Sequence, residues 1–381
     1  MRVLRITIAA CLALAMAFSC KQQQEEEVEL QYYTTDGTYE VESIPSPAAD
    51  AEVRNVIFMI GDGMGLEQTS CAWVVNKGKL YFDNFGVVGL SRTYSADNLI
   101  TDSGAGGTAL AAGQKTGNNH VGTDINNEPL YSMLYKAHSL GWKTGVVTTC
   151  HLADATPVDF CCHNEHRYNT DAIIADYVNC DVDYIAGGGY DYFGPGREDG
   201  RIIADEMVAK GYTLARTEEE LMDAPLPVLG LLAGDNLPVA LERGDMFRHM
   251  VARGIDLLSQ ASGDKGFAMM IEGSCIDDWL HENNIGKAME ELLDFDRTIG
   301  DVLRWAAKDG HTLVVVAADH ATGALTLQDG SLEEGKIGVA FGNESHNGIA
   351  VPYYVWGPGS SAFGGIYENA ELGQRIASFI E

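Results

Sequence analysis

No basic cluster occurs in this chain of 381 residues. Lys and Arg number 25 against 55 Asp and Glu, a net charge of −30. A polyanion would be repelled along the whole length, which argues against nucleic acid as a partner. Cys-x-x-Cys pairs are also missing, so a thiolate zinc site has no basis although eight cysteines are present. There is no internal repeat, and the N-terminal apolar run, Ile6 to Phe18, is too short to cross a bilayer as a helix. What is there is 46% hydrophobic residues and 43 glycines, enough core for one large α/β domain or two smaller ones.

The N-terminus reads as a targeting segment. Basic residues in Met1 to Arg5 precede the apolar run, as in a secretory signal. Ala17 and Ser19 then lead to Cys20, which resembles a bacterial lipoprotein signal, with residues 1–19 removed and Cys20 lipidated. Phe18 is looser than the usual pattern, and ordinary cleavage without lipid is the competing reading. Polar and loop-forming residues from Lys21 through Pro45 and Pro47 predict a flexible tether over 20–51, leaving 52–381 as a single domain. The expectation is an exported protein, periplasmic or at the cell surface, touching a bacterial membrane through Cys20 only. Six cysteines remain: Cys71, Cys150, Cys161, Cys162, Cys180 and Cys275. In an oxidising compartment some would pair, and Cys162 with Cys180 is the candidate.

From Val53 onward, short β-branched runs alternate with helical patterns, which predicts a mostly parallel central sheet with helices on both faces. Four runs are clearest: Asn55 to Ile60, Lys143 to Thr149, Gly266 to Ile271 and Thr312 to Ala318. Ile285 to Ala306 carries apolar residues at helical spacing, a long amphipathic helix crossing the sheet. Weaker signals place a strand at Tyr184 to Ala186, a late strand at Val351 to Trp356, and helices over 169–178, 246–259 and 372–380. Each clear run delivers an acid, a Thr or a His at or just past its carboxyl end. In an open parallel sheet those ends share one edge, where ligands bind, so residues far apart in sequence can meet.

Taken singly, the residues at that edge have ordinary readings. Asp62 could cap the helix after its Gly-rich turn. Asp277 and His281, spaced i, i+4, could be surface neighbours. His346 alone would mean little, and Arg167, between His166 and Tyr168, could be a surface loop residue. Asp319-His320 directly after an apolar strand is harder to dismiss. Ser103 follows Thr101-Asp102 and precedes small residues, a helix start that would put its hydroxyl at the positive end of the helix; the small residues also serve close packing. Together Asp62, Asp277, Asp319, His281, His320 and His346 make three Asp and three His, donors fit for two zinc ions. Glu272 and Thr156 add hard oxygens suited to magnesium.

Gly61-Asp62-Gly63-Met64-Gly65, Thr101-Asp102-Ser103, Asp154-Ala155-Thr156-Pro157, Glu272-Gly273 with Asp277 and His281, Ala318-Asp319-His320, and His346 resemble, in order and spacing, the motifs of the alkaline phosphatases. The resemblance runs from about Asn55 to Pro358. It implies phosphate monoester hydrolysis through a phosphoserine on Ser103, with Arg167 clamping phosphate. It implies one zinc on Asp277, His281 and His346, a second on Asp62, Asp319, His320 and Ser103, and one magnesium on Asp62, Thr156 and Glu272. Asp102, Asp154 and Asp278 fall beside these groups.

Two features depart from the family pattern. Asp278 stands where relatives often carry Lys or His, which implies weaker phosphate binding or another cation in the gap. Only 25 residues separate His320 from His346, so the crown insertion of many relatives is small or absent and a homodimer is an expectation only. The competing functions are a phosphodiesterase or another phosphotransfer enzyme of the same superfamily, and a non-catalytic surface lipoprotein binding metal or phosphate. A sulfatase would show Cys or Ser followed by x-Pro-x-Arg, and Ser103 is not so followed.

Overall fold

The computed structural model describes residues 29–381. The expected signal segment 1–19 and the lipidation residue Cys20 lie outside them. Among the described residues no helix is long and apolar enough to cross a membrane.

Ten strands form the central sheet: β2 (Asn55–Gly61), β3 (Val87–Arg92), β4 (Lys143–His151), β5 (Tyr184–Gly188), β6 (Thr213–Ala215), β7 (Val228–Leu231), β8 (Phe267–Gly273), β9 (Thr312–Ala317), β14 (Val351–Trp356) and β15 (Gly365–Glu368). Their order is β15-β3-β14-β9-β2-β8-β4-β5-β7-β6. β14 runs antiparallel to both neighbours, while the other paired strands of the sheet run parallel. The sheet is thus mostly parallel, and its four central strands, β9, β2, β8 and β4, are the four that the sequence marks most clearly. All seven residues of β2 are buried. Ile57 and Met59 face one apolar layer with the long helix Ile285–Asp309, and Val56, Phe58 and Ile60 face the other. This two-sided burial explains why the central strands read as continuous apolar runs without alternation.

A smaller sheet, β1 (Gln31–Tyr33), β12 (Lys336–Ala340) and β11 (Thr326–Ser331), lies outside the main one. With the ribbon of β10 (Ala321–Thr322) and β13 (His346–Asn347), its hairpin fills the stretch between His320 and His346. The insertion there is accordingly small.

The flexible tether expected over 20–51 is corrected where the structure describes it. Gln31–Tyr33 pairs with Val339–Ile337. Thr35 Oγ1 donates to Glu290 Oε1 at 2.6 Å, and the Tyr33 hydroxyl donates to the same oxygen. Tyr39 stacks on Tyr81 with centroids 6.2 Å apart and donates to Asp296 at 2.6 Å. Ile44 is buried, and its N–H donates to Asn84 Oδ1 at 2.7 Å. Polar composition hid these anchors, since an aromatic or aliphatic residue every few positions suffices to strap a segment down.

The six cysteines among the described residues are buried thiols. Cys162 and Cys180 are among them, so the expected pairing of these two is not present.

One buried ionic group fixes the loop that flanks the sheet edge. Arg243 Nη2 donates to Glu291 Oε2 and Asp294 Oδ2, each at 2.7 Å, and Nη1 to the Pro238 carbonyl at 3.1 Å. The three side chains are 1%, 2% and 0% exposed. Removing Arg243 leaves Glu291 buried without its cation and Asp294 with only the longer contact to Arg297 at 3.6 Å, and such a loss costs about 3–5 kcal/mol. Arg243→Met is expected to lower the urea midpoint by that free energy divided by the m-value, with the m-value unchanged. A midpoint within experimental error of wild type would contradict the assignment.

Candidate active site

The edge formed by the carboxyl ends of β9, β2, β8 and β4 collects the acidic residues. Register does this: Ile60 lies opposite both Glu272 and Ala317, and Thr148 opposite Glu272. Asp62 leaves β2 one residue beyond Gly61, Asp319 follows β9, and Asp154 and Thr156 follow β4. The turn Gly61 to Gly65 is glycine-rich for a definite reason. Gly63 has φ +66°, and a Cβ there would lie 2.5 Å from Asp277 Oδ1. Its absence lets Asp277 approach. Asp62 does not cap the following helix, whose cap position is Gly65.

Ser103 is the first residue of the helix Ser103–Ala112, and Asp102 is its cap, accepting from Ala105 N–H at 3.0 Å. The hydroxyl therefore sits at the positive helix end, as the Thr-Asp-Ser pattern predicts. Ser103 Oγ lies 3.2 Å from His320 Nε2. The same nitrogen is 3.3 Å from Asp62 Oδ1 and 3.1 Å from Asp319 Oδ2. Four donors from three chain segments thus surround one point, and Asp62, Asp319 and His320 lie close enough together to hold a metal ion.

A second set lies beside it. His281 Nε2 is 3.0 Å from Asp277 Oδ2 and 3.1 Å from His346 Nε2, which is 3.8 Å from the same carboxylate oxygen. The pair His281 and Asp277 shares the helix Cys275–His281. His346 arrives from the β10–β13 ribbon, where it pairs with Thr322, two residues after His320. The imidazole stacks on His320 with centroids 3.5 Å apart, so His320 borders both sets.

The other ring nitrogens hold these histidines in place. His281 Nδ1 meets the Glu344 carbonyl at 2.7 Å and His346 Nδ1 the Thr101 carbonyl at 2.8 Å. A carbonyl only accepts, so each Nδ1 carries a proton, and each Nε2 is the atom turned to Asp277: protonated beside that carboxylate in the metal-free protein, and free to offer a lone pair when a metal displaces the proton. His320 Nδ1 lies 3.2 Å from Thr322 Oγ1, whose hydroxyl donates to Asp277. Thr322 has no motif in the sequence; only the register of β10 against β13 reveals it.

The third set is hard and oxygen-rich. Glu272 Oε2 accepts from Thr148 Oγ1 at 2.6 Å, while Glu272 Oε1 and Thr156 Oγ1 are buried without a partner. Asp62 Oδ1 and Asp319 Oδ2 are equally unpartnered. Buried oxygens of this kind are costly unless a cation meets them. Burial, and then Asp319, Asp277 and Glu272, push the Asp62 carboxyl well up. Burial raises Glu272 to about 8 and Asp319 to about 7. Against burial, the neighbouring imidazoles of His281 and His346 hold Asp277 well below the usual carboxylate range. The donor chemistry fits divalent metal at all three sets: nitrogen with carboxylate at two, oxygen alone at the third.

Arg167 is not a surface residue. Its Nη2 donates to Asp154 Oδ1 at 2.8 Å and its Nη1 reaches Asp102 Oδ2 at 3.5 Å, with the side chain 15% exposed. Its backbone N–H donates to the Asn119 carbonyl at 2.7 Å, and Asn119 N–H in turn donates to Asp102. Asp102 therefore ties Ser103 to Arg167, a link the sequence does not disclose. Asp278 stands exposed at the rim and accepts from Asn236 Nδ2 at 3.0 Å. His138, His249 and His311, read from the sequence as structural, lie outside the site: His249 meets Glu218 and His311 the Glu52 carbonyl.

Comparison with known proteins agrees with this geometry. Residues 53–337 match the family model described as alkaline phosphatase. The chain is 38% identical over 296 residues to alkaline phosphatase 4 of Bacillus subtilis, covering 73% of this chain and 63% of that protein. It thus spans less than two thirds of that relative's length. The structure of alkaline phosphatase from the Antarctic bacterium TAB5 superposes with a TM-score of 0.81 at 33% identity, covering 87% of this chain and 99% of the other. A variant of that enzyme, described with magnesium in its M3 site, gives a TM-score of 0.80 at 33% identity, covering 89% of this chain and 99% of the other.

The protonation pattern sets a pH dependence for the metal-free protein. Between pH 6.5 and 9 the unfolded chain has ionised carboxylates and neutral histidines, whereas folded Glu272 and Asp319 hold protons up to about 8 and about 7, and His281 up to about 9. Unfolding there releases protons, so rising pH favours it. The two buried carboxyls account for a loss on the order of 2–3 kcal/mol across this window. Zinc and magnesium, which favour the ionised donors, should restore the stability. Thermal midpoints of chelator-treated protein at pH 6.5 and 9, with and without added metal, measure this; a midpoint that rises with pH in the absence of metal would contradict it.

Proposed function

The chain belongs to the alkaline phosphatase family, and from that premise we propose that it hydrolyses phosphate monoesters with Ser103 as nucleophile. The observation that carries the reading is the placement of Ser103 Oγ: at a helix N-terminus, 3.2 Å from His320 Nε2, with Asp102 linking its helix to Arg167. Asp277, His281 and His346 would hold one zinc, Asp62, Asp319 and His320 with Ser103 a second, and Asp62, Thr156 and Glu272 a magnesium. When bound, these ions supply the positive charge that favours a serine alkoxide, a departing alkoxide and an activated water.

The chain's own residues do the rest. Ser103 Oγ attacks phosphorus in line, forming an Oγ–P bond as the ester P–O bond breaks and the alcohol leaves. Water then cleaves the Oγ–P bond, returning the hydroxyl and releasing phosphate. Arg167, held by Asp154 and Asp102, presents two N–H groups to two non-bridging oxygens, which a lysine could not reproduce. A dianionic monoester uses that charge better than a diester does. The magnesium found in the TAB5 variant supports a metal at the third set.

Wild-type protein loaded with zinc and magnesium should cleave an aryl phosphate monoester at least 100-fold faster than the matching diester. Ser103→Ala should reduce monoester turnover by 10³-fold or more and form no acid-stable phosphoprotein. A loaded wild-type protein that prefers the diester would overturn the reading.

The basic and apolar N-terminal run, followed by Ala17, Ser19 and Cys20, supports an exported enzyme, periplasmic or at the cell surface. We propose that residues 1–19 are removed and that a lipid on Cys20 is the sole membrane attachment. The full chain expressed in a bacterium should partition with membranes and carry a lipid mass on Cys20, and Cys20→Ala should release it in soluble form. Membrane retention of that variant would contradict the anchor.

A further inference from the structure

Asp159 is an acid that the proposed chemistry leaves unused. It lies on the helix Ala155–Cys161, one turn beyond Thr156, and is 2% exposed. Its Oδ1 accepts from Thr108 Oγ1 at 2.7 Å and from Gly122 N–H at 3.2 Å. The Gly122 N–H also reaches Thr108 Oγ1 at 2.9 Å. The second oxygen, Oδ2, has no partner and rests against Gly107, where a Cβ would lie 2.2 Å from it.

These contacts join three segments that each hold part of the site. Thr108 and Gly107 belong to the helix that Ser103 begins. Thr156 belongs to the helix of Asp159 itself. Gly122 closes a loop whose Asn119 carbonyl accepts from Arg167 N–H at 2.7 Å, and Val121 and Asn164 exchange backbone hydrogen bonds at 3.1 and 2.8 Å. The loop around Arg167 therefore rests on 119–122, and 119–122 rests on Asp159.

We propose that Asp159 is a positioning residue that fixes the distance between Ser103 and Arg167 by clamping the Ser103 helix, the Thr156 helix and the Asn119–Gly122 loop together. Both bonds are accepted by one oxygen, Oδ1, so the carbonyl of an amide can replace it; burial also pushes the carboxyl well above the usual range. Gly107 belongs to the same device, because any side chain there would drive the carboxyl out of its seat.

The inference rests on the proposed phosphatase reading, and the wild-type protein tests that reading separately: without monoester turnover or phosphate inhibition, the reading fails before any variant is made. Asp159→Asn, Asp159→Ala and Thr108→Val should then be compared for kcat/KM on an aryl phosphate, for inhibition by inorganic phosphate, and, in metal-free protein, for hydrogen exchange at the Gly122 amide. Asp159→Ala should lose tenfold or more in kcat/KM, raise the phosphate inhibition constant by a similar factor and speed Gly122 exchange at least tenfold. Asp159→Asn should stay within threefold of wild type in all three. A residue of merely structural importance would lower the thermal midpoint and leave the phosphate inhibition constant alone. Folded Asp159→Ala with both constants within twofold of wild type overturns the proposal, as does an Asn variant as damaged as the Ala variant. Should Asp159→Ala fail to fold, Thr108→Val removes the same bond from the other side; constants within twofold of wild type there overturn the proposal equally.

Discussion

Asp62, Asp277, Asp319 and Glu272 are buried together at one edge of the sheet, and most of the site's construction follows from having to keep them there. A buried carboxylate is costly without a counter-charge, and four in proximity multiply the cost. Among the described residues, the counter-charge at this edge comes from Arg167, His281 and His346, while burial keeps His320 neutral. The histidines hold Asp277 ionised, while Asp62, Glu272 and Asp319 are left with raised carboxyls and unpartnered oxygens. A site so arranged is preorganised for divalent cations, and it is stable in that form only because the surrounding strands cannot move apart without unpairing.

Rigidity comes from the middle of the sheet. β9, β2, β8 and β4 are adjacent and buried on both faces, so the positions at their carboxyl ends are determined by register. Small residues bring the helices close to that frame. Gly63 admits Asp277, and Gly107 admits Asp159. In each case the glycine makes room for an acid, which is a more specific use than the general close packing suggested by a run of Gly and Ala. The loop facing Asp278 is fixed differently: Asn236 reaches Asp278, and Arg243 ties the same loop to Glu291 and Asp294 on the long helix.

The N-terminal strap adds a second level of attachment. Tyr33, Thr35 and Tyr39 bind acids of the long helix, Glu290 and Asp296, and β1 completes a three-stranded sheet with the hairpin that precedes His346. The segment that would follow an anchor at Cys20 is thus part of the folded body from Gln31 onward.

By itself, the sequence determined the parallel sheet, its four central strands, the long helix and which acids and histidines would meet at the sheet edge. Continuous apolar runs, helical periodicity and the residues immediately after each run are local signals, and strand ends in a parallel sheet must share an edge. Thr322, Asn119, Asp159 and the strap at Tyr33 and Tyr39 were not legible in it. Their roles depend on contacts between segments tens to hundreds of residues apart, and a single Thr, Asn or Tyr carries no periodic or motif signal. Arg167 marks the boundary between the two cases: a family motif assigns it to phosphate, but its residue type and neighbours suggest only a surface loop. Tertiary structure alone decided that it is buried between Asp154 and Asp102, because only folding brings the helix caps of Ser103 and Thr156 to the same guanidinium.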